Sequence, residues 1–205
     1  MSNPDSPPSS PLDSHRPVPD ELHTEQFTLR PITAADAERD HAALMETRVQ
    51  LHLWEQSTWP ADDFTVEANR EDLVDLEARH RGGRAFTYTV VDPADTEALG
   101  CVYVFPISAD FLTKATVTPT GDRHWDDVDA VVYFWMRASA TQQGLDASLL
   151  AALRTWFREV WKTERTVFVT NEQFTQQVGL LDETDLALEF ELVEPDKPGR
   201  YLVYG

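Results

Sequence analysis

The stretch TQQGLD, Thr141 to Asp146, runs directly into ASLLAALRTWF, a segment with a helical apolar stripe. A glycine ahead of a helix permits a tight turn. The first helical N–H groups then point outward without intrahelical partners, beside the positive end of the helix dipole. A pyrophosphate suits such a turn. A glycine there also serves simply to bend the chain between two packed elements, so Gly144 alone leaves both readings open. Asp146 opposes an anion. A carboxylate about 5 Å from one phosphate charge costs roughly 3 kcal/mol at an effective dielectric near 20, about a hundredfold in affinity. The cost falls if that carboxylate caps the helix and points away from the ligand.

The elements around this turn are legible in outline. DAVVYFWMR, from Asp129, is rich in β-branched and aromatic residues with little polar interruption, the pattern of a strand covered on both faces. Behind the turn, Leu149, Leu153, Trp156, Phe157 and Val160 recur at helical spacing as one stripe. Upstream, FTLRPIT reads as a strand, and Thr33 with Asp36 three residues later starts a helix in the manner of a capping box. Thr65 caps a second helix that stops at Gly82 and Gly83. RAFTYTVVD and ALGCVYVFP form a hairpin across PADTE, ERTVFVT is a further buried strand, and EQFTQQVGLLDE is a helix interrupted by Gly179. LALEFELVE and RYLVYG close the chain as an antiparallel pair. The expected order is βααβββαβαββ, while residues 108–127 carry no clear pattern.

Bulk properties narrow the function classes. The 205 residues carry 36 Asp and Glu against 17 Lys and Arg, a formal charge of -19. Such a surface repels nucleic acid and anionic lipid, so neither is an expected partner. It draws cations, and it equally suits solubility in a salty cytoplasm; both readings stay open. Cys101 is the sole cysteine, which excludes an intrachain disulfide and agrees with a reducing, cytoplasmic setting. No apolar run reaches the ~20 residues of a membrane span. The Pro- and Ser-rich residues 1–24 read as a disordered tail, leaving residues 25–205 as one domain. The six histidines show no metal-ligand spacing, and HWDDVD reads as a solvated acidic loop, so no metal is expected. Neither a nucleophile elbow nor a P-loop lysine motif occurs.

From Phe27 onward the chain resembles the GNAT superfamily of acyl-coenzyme A-dependent N-acyltransferases. FTLRPITAADA is similar to that family's first strand and helix. DAVVYFWMR with ASATQQGLDASLLAALRTWF is similar to its fourth strand, pyrophosphate loop and third helix, and TNEQ with GLLDETDLALEFEL to its last helix and next strand. The resemblance implies an α/β (α+β) fold: a mixed, mostly antiparallel sheet of about seven strands flanked by about four helices. It implies acetyl-CoA as cosubstrate and the primary amine of a small molecule or peptide as acceptor. The loop pattern Q/R-x-x-G-x-G/A is matched only at Gly144, because Thr141 and Asp146 replace the first and last motif residues.

By the same resemblance, coenzyme A would contact Phe134, Trp135 and Met136 through strand backbone. The loop would contribute Gln142, Gln143, Gly144, Leu145, Asp146, Ala147 and the Ser148 hydroxyl. Proton transfer would fall to Tyr133, His124 or Asp129, each of which also has a purely structural reading. Leu181 stands where many members carry a tyrosine acid. Trp54 and Trp59 would wall the acceptor pocket with Glu55 on the ammonium, or else the tryptophans only cover the core edge. The alternative function is a catalytically weakened GNAT-fold protein that binds a ligand or partner. A homodimer through the C-terminal strands is a further expectation.

Overall fold

The computed structural model describes residue 12 and residues 18–205. Thr33 and Asp36 begin the first helical segment as their spacing predicts. The Thr33 N–H donates to Asp36 Oδ2 at 2.9 Å. Arg30, on the strand before it, and Arg39, one turn on, both donate to the same buried carboxylate. Burial would raise Asp36, yet these bonds, Arg30 first, hold it down at about 2.

Behind that start lies α1 (Ala37–Glu55), packed on α2 (Val66–Arg81), whose N-cap Thr65 accepts from the Ala68 N–H. The strands are β1 (Leu22–His23), β2 (Thr28–Pro31), β3 (Phe86–Val91), β4 (Ala98–Phe105), β5 (Thr116–Pro119), β6 (Ala130–Met136), β7 (Thr166–Asn171), β8 (Leu188–Val193) and β9 (Tyr201–Tyr204). Four more α-helices follow among the described residues: α3 (Asp110–Lys114), α4 (Ala138–Thr141), α5 (Leu145–Trp156) and α6 (Thr175–Asp182). One sheet holds all nine strands in the order β1-β2-β3-β4-β6-β7-β9-β8-β5. Only β6 and β7 are parallel; β9 enters between β7 and β8.

The mixed, mostly antiparallel architecture is as expected, with nine strands rather than about seven and two extra short helices. The additions are β1, read as tail, and β5, within the unpatterned segment. β5 is an edge strand of four largely exposed residues, so burial imposes no alternation on it. Of the tail, residues 1–11 and 13–17 lie outside the described residues. Within the rest, β1 pairs with β2, and the Tyr88 hydroxyl donates to the Pro19 carbonyl. The α5 stripe buries Leu149, Leu153, Trp156 and Phe157, but Val160 is 54% exposed. Residues Phe157–Trp161 form a π turn, which shifts the 3.6-residue phase and packs Trp161 against the core instead.

The sheet has a core on each face. One lies under α5 and includes Phe134 and Met136; the other lies under α1 and α2 and includes Tyr133, Trp135 and Cys101. Cys101 is 1% exposed and faces Trp135 in the β4–β6 register. Among the described residues no helix is long and apolar enough to cross a membrane, and no group of three His, Cys, Asp or Glu could hold a metal.

Asp40 on α1 gives a pH prediction. Burial pushes its carboxyl up to about 6, against the hydrogen bond that Asn69 donates at 2.9 Å. The folded value lies above the ~3.9 of an unfolded Asp. The unfolded chain therefore releases this proton first, and stability falls as pH rises from about 4 to about 6. Asp40→Asn keeps an acceptor for Asn69. It is expected to remove that slope and add on the order of 2 kcal/mol near neutrality. Thermal melts across this range check it; identical pH trends in parent and variant would refute the assignment.

Candidate active site

β6 is held by β7 only as far as Tyr133, paired with Val169. Beyond it, Thr170 and Asn171 of β7 keep only their pairing with β9 on the other edge, so the β6–β7 ladder ends there. The Arg137 N–H donates to the Leu99 carbonyl of β4 at 2.7 Å. Strand alternation then directs the backbone groups of Trp135 to β4, and those of Phe134 and Met136 into the opening left by β7. This cleft ends against the start of α5, where Gly144 adopts the left-handed conformation at φ 74° and ψ 17°.

Inside the turn, the N–H groups of Gln142, Gln143 and Gly144 already donate to Ala138, Ala140 and Thr141 carbonyls. The outward donors are therefore those of the first α5 turn, Leu145 and Asp146. The third, Ala147, donates to Asp146 Oδ1 at 3.0 Å. Asp146 is buried, and its Oδ2 accepts from Gln176 Nε2 of α6 at 2.5 Å. The carboxylate thus caps its own helix and turns toward α6. Next to it, Gln177 Nε2 donates to the Phe134 carbonyl at 2.9 Å. Two adjacent glutamines therefore tie α6 across the cleft. Gln177 Oε1, Thr170 Oγ1 and Asn171 Nδ2 are buried with no hydrogen-bond partner among the described residues. Orphaned polar atoms of this kind suit a ligand that carries amide groups. The strand backbone, Gln177 Oε1, Thr170 Oγ1 and the first-turn amides fit the polar arm and a phosphate of an acyl-CoA, once the Gln177 bond opens; Asn171, cross-strand partner of Tyr201, belongs to the other face.

On the opposite face of the sheet lies a cavity of about 560 Å³. Its floor is Tyr103, Phe105 and Tyr133 of the sheet; Trp54 and Phe111 cover it, and Tyr201 closes one end. The rings stand 4.9–6.5 Å apart, mostly edge to face. Glu55 and Glu194 line one end; Trp59, Asp72, Asp75 and Arg79 line the α2 side. The loop after β8 is fastened to the end of α1. Lys197 Nζ donates to the Glu55 carbonyl at 2.6 Å and to its Oε1 at 2.5 Å, and the Gly199 N–H donates to Gln56 Oε1 at 2.5 Å.

Several titratable groups here are displaced, Glu194 and Tyr133 among them. Burial pushes Glu194 up, Lys197 opposes this, and Glu55 adds to it. Burial, followed by the charges of Glu194 and nearby groups, raises the Tyr133 hydroxyl well above its ordinary range. Tyr133 Oη and Trp54 Nε1 are buried with no hydrogen-bond partner among the described residues.

The structure brings Tyr133, Trp54, Glu55 and Trp59 together at this cavity. It places Phe134, Met136 and the residues from Gly144 to Ser148 along the cleft on the other face. Trp135 instead packs into the core with Cys101, and its Nε1 donates to the Tyr103 hydroxyl. Asp129 and His124 stand apart from both openings. Asp129 Oδ2 accepts the N–H groups of Glu164 and Arg165, bracing the start of β6 at the end away from the cleft, and His124 is exposed beside a short 3-10 turn. Leu181 is fully buried in the α5 core. Glu194, Tyr201, Phe111 and the two α6 glutamines lay outside the sequence reading. The aromatics at alternate positions 103 and 105, with Tyr133 opposite Tyr103, were the available signal for the cavity floor.

No family model matches the chain, and no curated protein sequence matches it. Solved structures do. The ribosomal-protein-S5-alanine acetyltransferase from Vibrio fischeri aligns at TM-score 0.65 and 17% identity, over 91% of this chain and 95% of its own. RimL, a ribosomal L7/L12 alpha-N-protein acetyltransferase in complex with coenzyme A, aligns at TM-score 0.66 and 15% identity, over 90% and 96%. The microcin C7 self-immunity acetyltransferase MccE, in complex with acetyl-CoA and AMP, aligns at 0.65 and 13%, over 88% and 92%. At these identities the likeness is one of fold.

Proposed function

We propose that this chain, which has the GNAT fold, is an acyl-CoA-dependent N-acetyltransferase acting on a primary amine. The observation that carries the reading is the position of Tyr133. It is the last residue of β6 paired with β7, so the cleft opens at its backbone, while its side chain lies in the cavity on the other face. The two openings therefore meet at one residue, as acyl transfer between two bound substrates requires.

Acetyl-CoA, when bound, supplies an activated acyl thioester. The chain holds its arm through Phe134 and Met136 backbone and a phosphate through the Leu145 and Asp146 amides. Tyr133, kept neutral by burial, holds a proton at Oη for the leaving sulfur. Glu194, raised by burial and only partly buried, accepts a proton from the acceptor ammonium at its carboxylate. This assigns the acid that Leu181 does not supply to the adjoining strand. The acceptor is bound with its nitrogen toward Tyr133 and Glu194.

Calorimetric titration with acetyl-CoA tests the reading directly. Binding in the micromolar to millimolar range is expected, and absence of both heat and thermal stabilisation at millimolar ligand sinks it. Once a turnover assay is in hand, Tyr133→Phe is expected to lower kcat by about 100-fold with acetyl-CoA affinity unchanged. An unaltered kcat would remove Tyr133 from the proton path.

A further inference from the structure

We infer that the aromatic cavity selects a primary amine carried on a ring-sized apolar body, an arylalkylammonium, with its nitrogen between Tyr133 Oη and the Glu194 carboxylate. This deepens the acyltransferase reading by naming its acceptor. It rests on that reading for the reaction but not for the binding.

Three independent observations converge on this ligand. The first is shape. The cavity lies within the range that accommodates small organic ligands. Its floor and cover are aromatic rings whose faces and edges suit a flat apolar group. The second is charge. The lining carries four carboxylates, Glu55, Asp72, Asp75 and Glu194, against one cation, Arg79. Arg79 is already paired with Asp75, and Glu55 with Lys197. Trp59 hydrogen-bonds Asp72. The Glu194 carboxylate makes no direct ion pair or hydrogen bond among the described residues, although the Lys197 charge acts on it from beyond contact. Carboxylates therefore outnumber cations around the cavity, so a positively charged ligand complements the site and a carboxylate ligand is repelled. The surrounding rings favour the same sign, because their faces attract cations.

The third observation is the buried Tyr133 hydroxyl. It lines the cavity, is 7% exposed as a residue, and has no hydrogen-bond partner among the described residues. A native core seldom leaves such a group unsatisfied. An ammonium donates to its oxygen and to the Glu194 carboxylate at once, which satisfies the acceptor side of both. A neutral alcohol of the same shape satisfies the hydroxyl but brings no charge to the carboxylate.

The test needs no acyl donor. 2-Phenylethylamine, 2-phenylethanol, 3-phenylpropionate and n-butylamine are titrated into the full chain, read by calorimetry and by the fluorescence of the cavity tryptophans. The phenylethylammonium ion is expected to bind at least tenfold more tightly than each of the other three. Glu194→Gln is expected to weaken the amine about tenfold and leave the alcohol unchanged, with circular dichroism confirming a native fold. Equal binding of amine and alcohol, or of phenylethylamine and butylamine, overturns the proposal, as does an equal loss for both ligands in Glu194→Gln. A chain that binds this amine but no acetyl-CoA sinks the transferase reading alone. One that binds acetyl-CoA but not the amine sinks this inference alone.

Discussion

Asp146→Asn is expected to bind acetyl-CoA about tenfold more tightly than the parent chain. Asp146 places a negative charge at the first turn of α5, where a phosphate would meet the Leu145 and Asp146 amides. At about 5 Å the repulsion is of order 3 kcal/mol for an effective dielectric near 20. The observed geometry reduces this in two ways. The carboxylate is turned toward α6, and both of its oxygens already accept hydrogen bonds, from Ala147 and Gln176. Charge removal should therefore recover only part of that energy, about 1.4 kcal/mol, which is the tenfold. Asparagine is the informative substitution because its amide keeps an oxygen for Gln176 and preserves the shape between α5 and α6. Calorimetry at two salt concentrations checks the cause: the gain should shrink as salt rises. Unchanged affinity would show that no phosphate approaches this turn. Weaker binding would show that the carboxylate's ordering of the turn outweighs its charge.

The largest effect on stability is expected at Gly100. A Cβ built on this residue meets the Trp135 carbonyl oxygen at 2.2 Å and Met136 Cα at 3.0 Å. Gly100 pairs with Met136 in the central β4–β6 ladder, and the atoms in the way are mostly backbone. No rotamer change relieves the overlap, so the strands themselves must separate. Gly100→Ala is expected to destabilise the chain by about 3 kcal/mol, at the upper end for overpacking. Urea unfolding reads it as a lower midpoint. The same strain falls on Trp135 and Met136, the residues that precede the α5 turn, so residual folded protein should also bind acetyl-CoA less well. A midpoint unchanged from the parent would mean that β4 and β6 part locally at no cost.

The sequence made the framework of the cleft readable because that framework is written in local patterns. An uninterrupted apolar strand, a glycine and a helical stripe lie within thirty or so consecutive residues, and the left-handed Gly144 is what such a junction demands. Tyr133, Trp54, Glu55 and Trp59 were legible as candidates, since aromatic and acidic residues beside those elements stand out, and they line one cavity. Glu194 and Tyr201 were not. They reach the cavity only because β9 enters between β7 and β8 and Lys197 fastens their connecting loop to α1, a long-range arrangement without a local signature. Gln176 and Gln177 were invisible for a similar reason: a glutamine on a short helix looks solvent-facing until the strands beneath it part. Asp129 attracted notice as an acid at the start of β6, but its carboxylate is engaged with the loop before β7.

Cys101 turns this architecture into a measuring device. It is the sole sulfhydryl in the chain, sits 1% exposed beneath α1, and belongs to the same packed cluster as Trp54 and Tyr133. Burial also pushes its thiol far from the reactive thiolate form. A disulfide reagent in solution therefore reacts only during the brief intervals when β4 is uncovered, and its colour counts those intervals. A compound that binds the neighbouring cavity only while β4 is covered makes them rarer by the factor 1 + [L]/Kd. A library of amines can thus be ranked with no label, no acyl donor and no product to detect, by how long one sulfur stays silent.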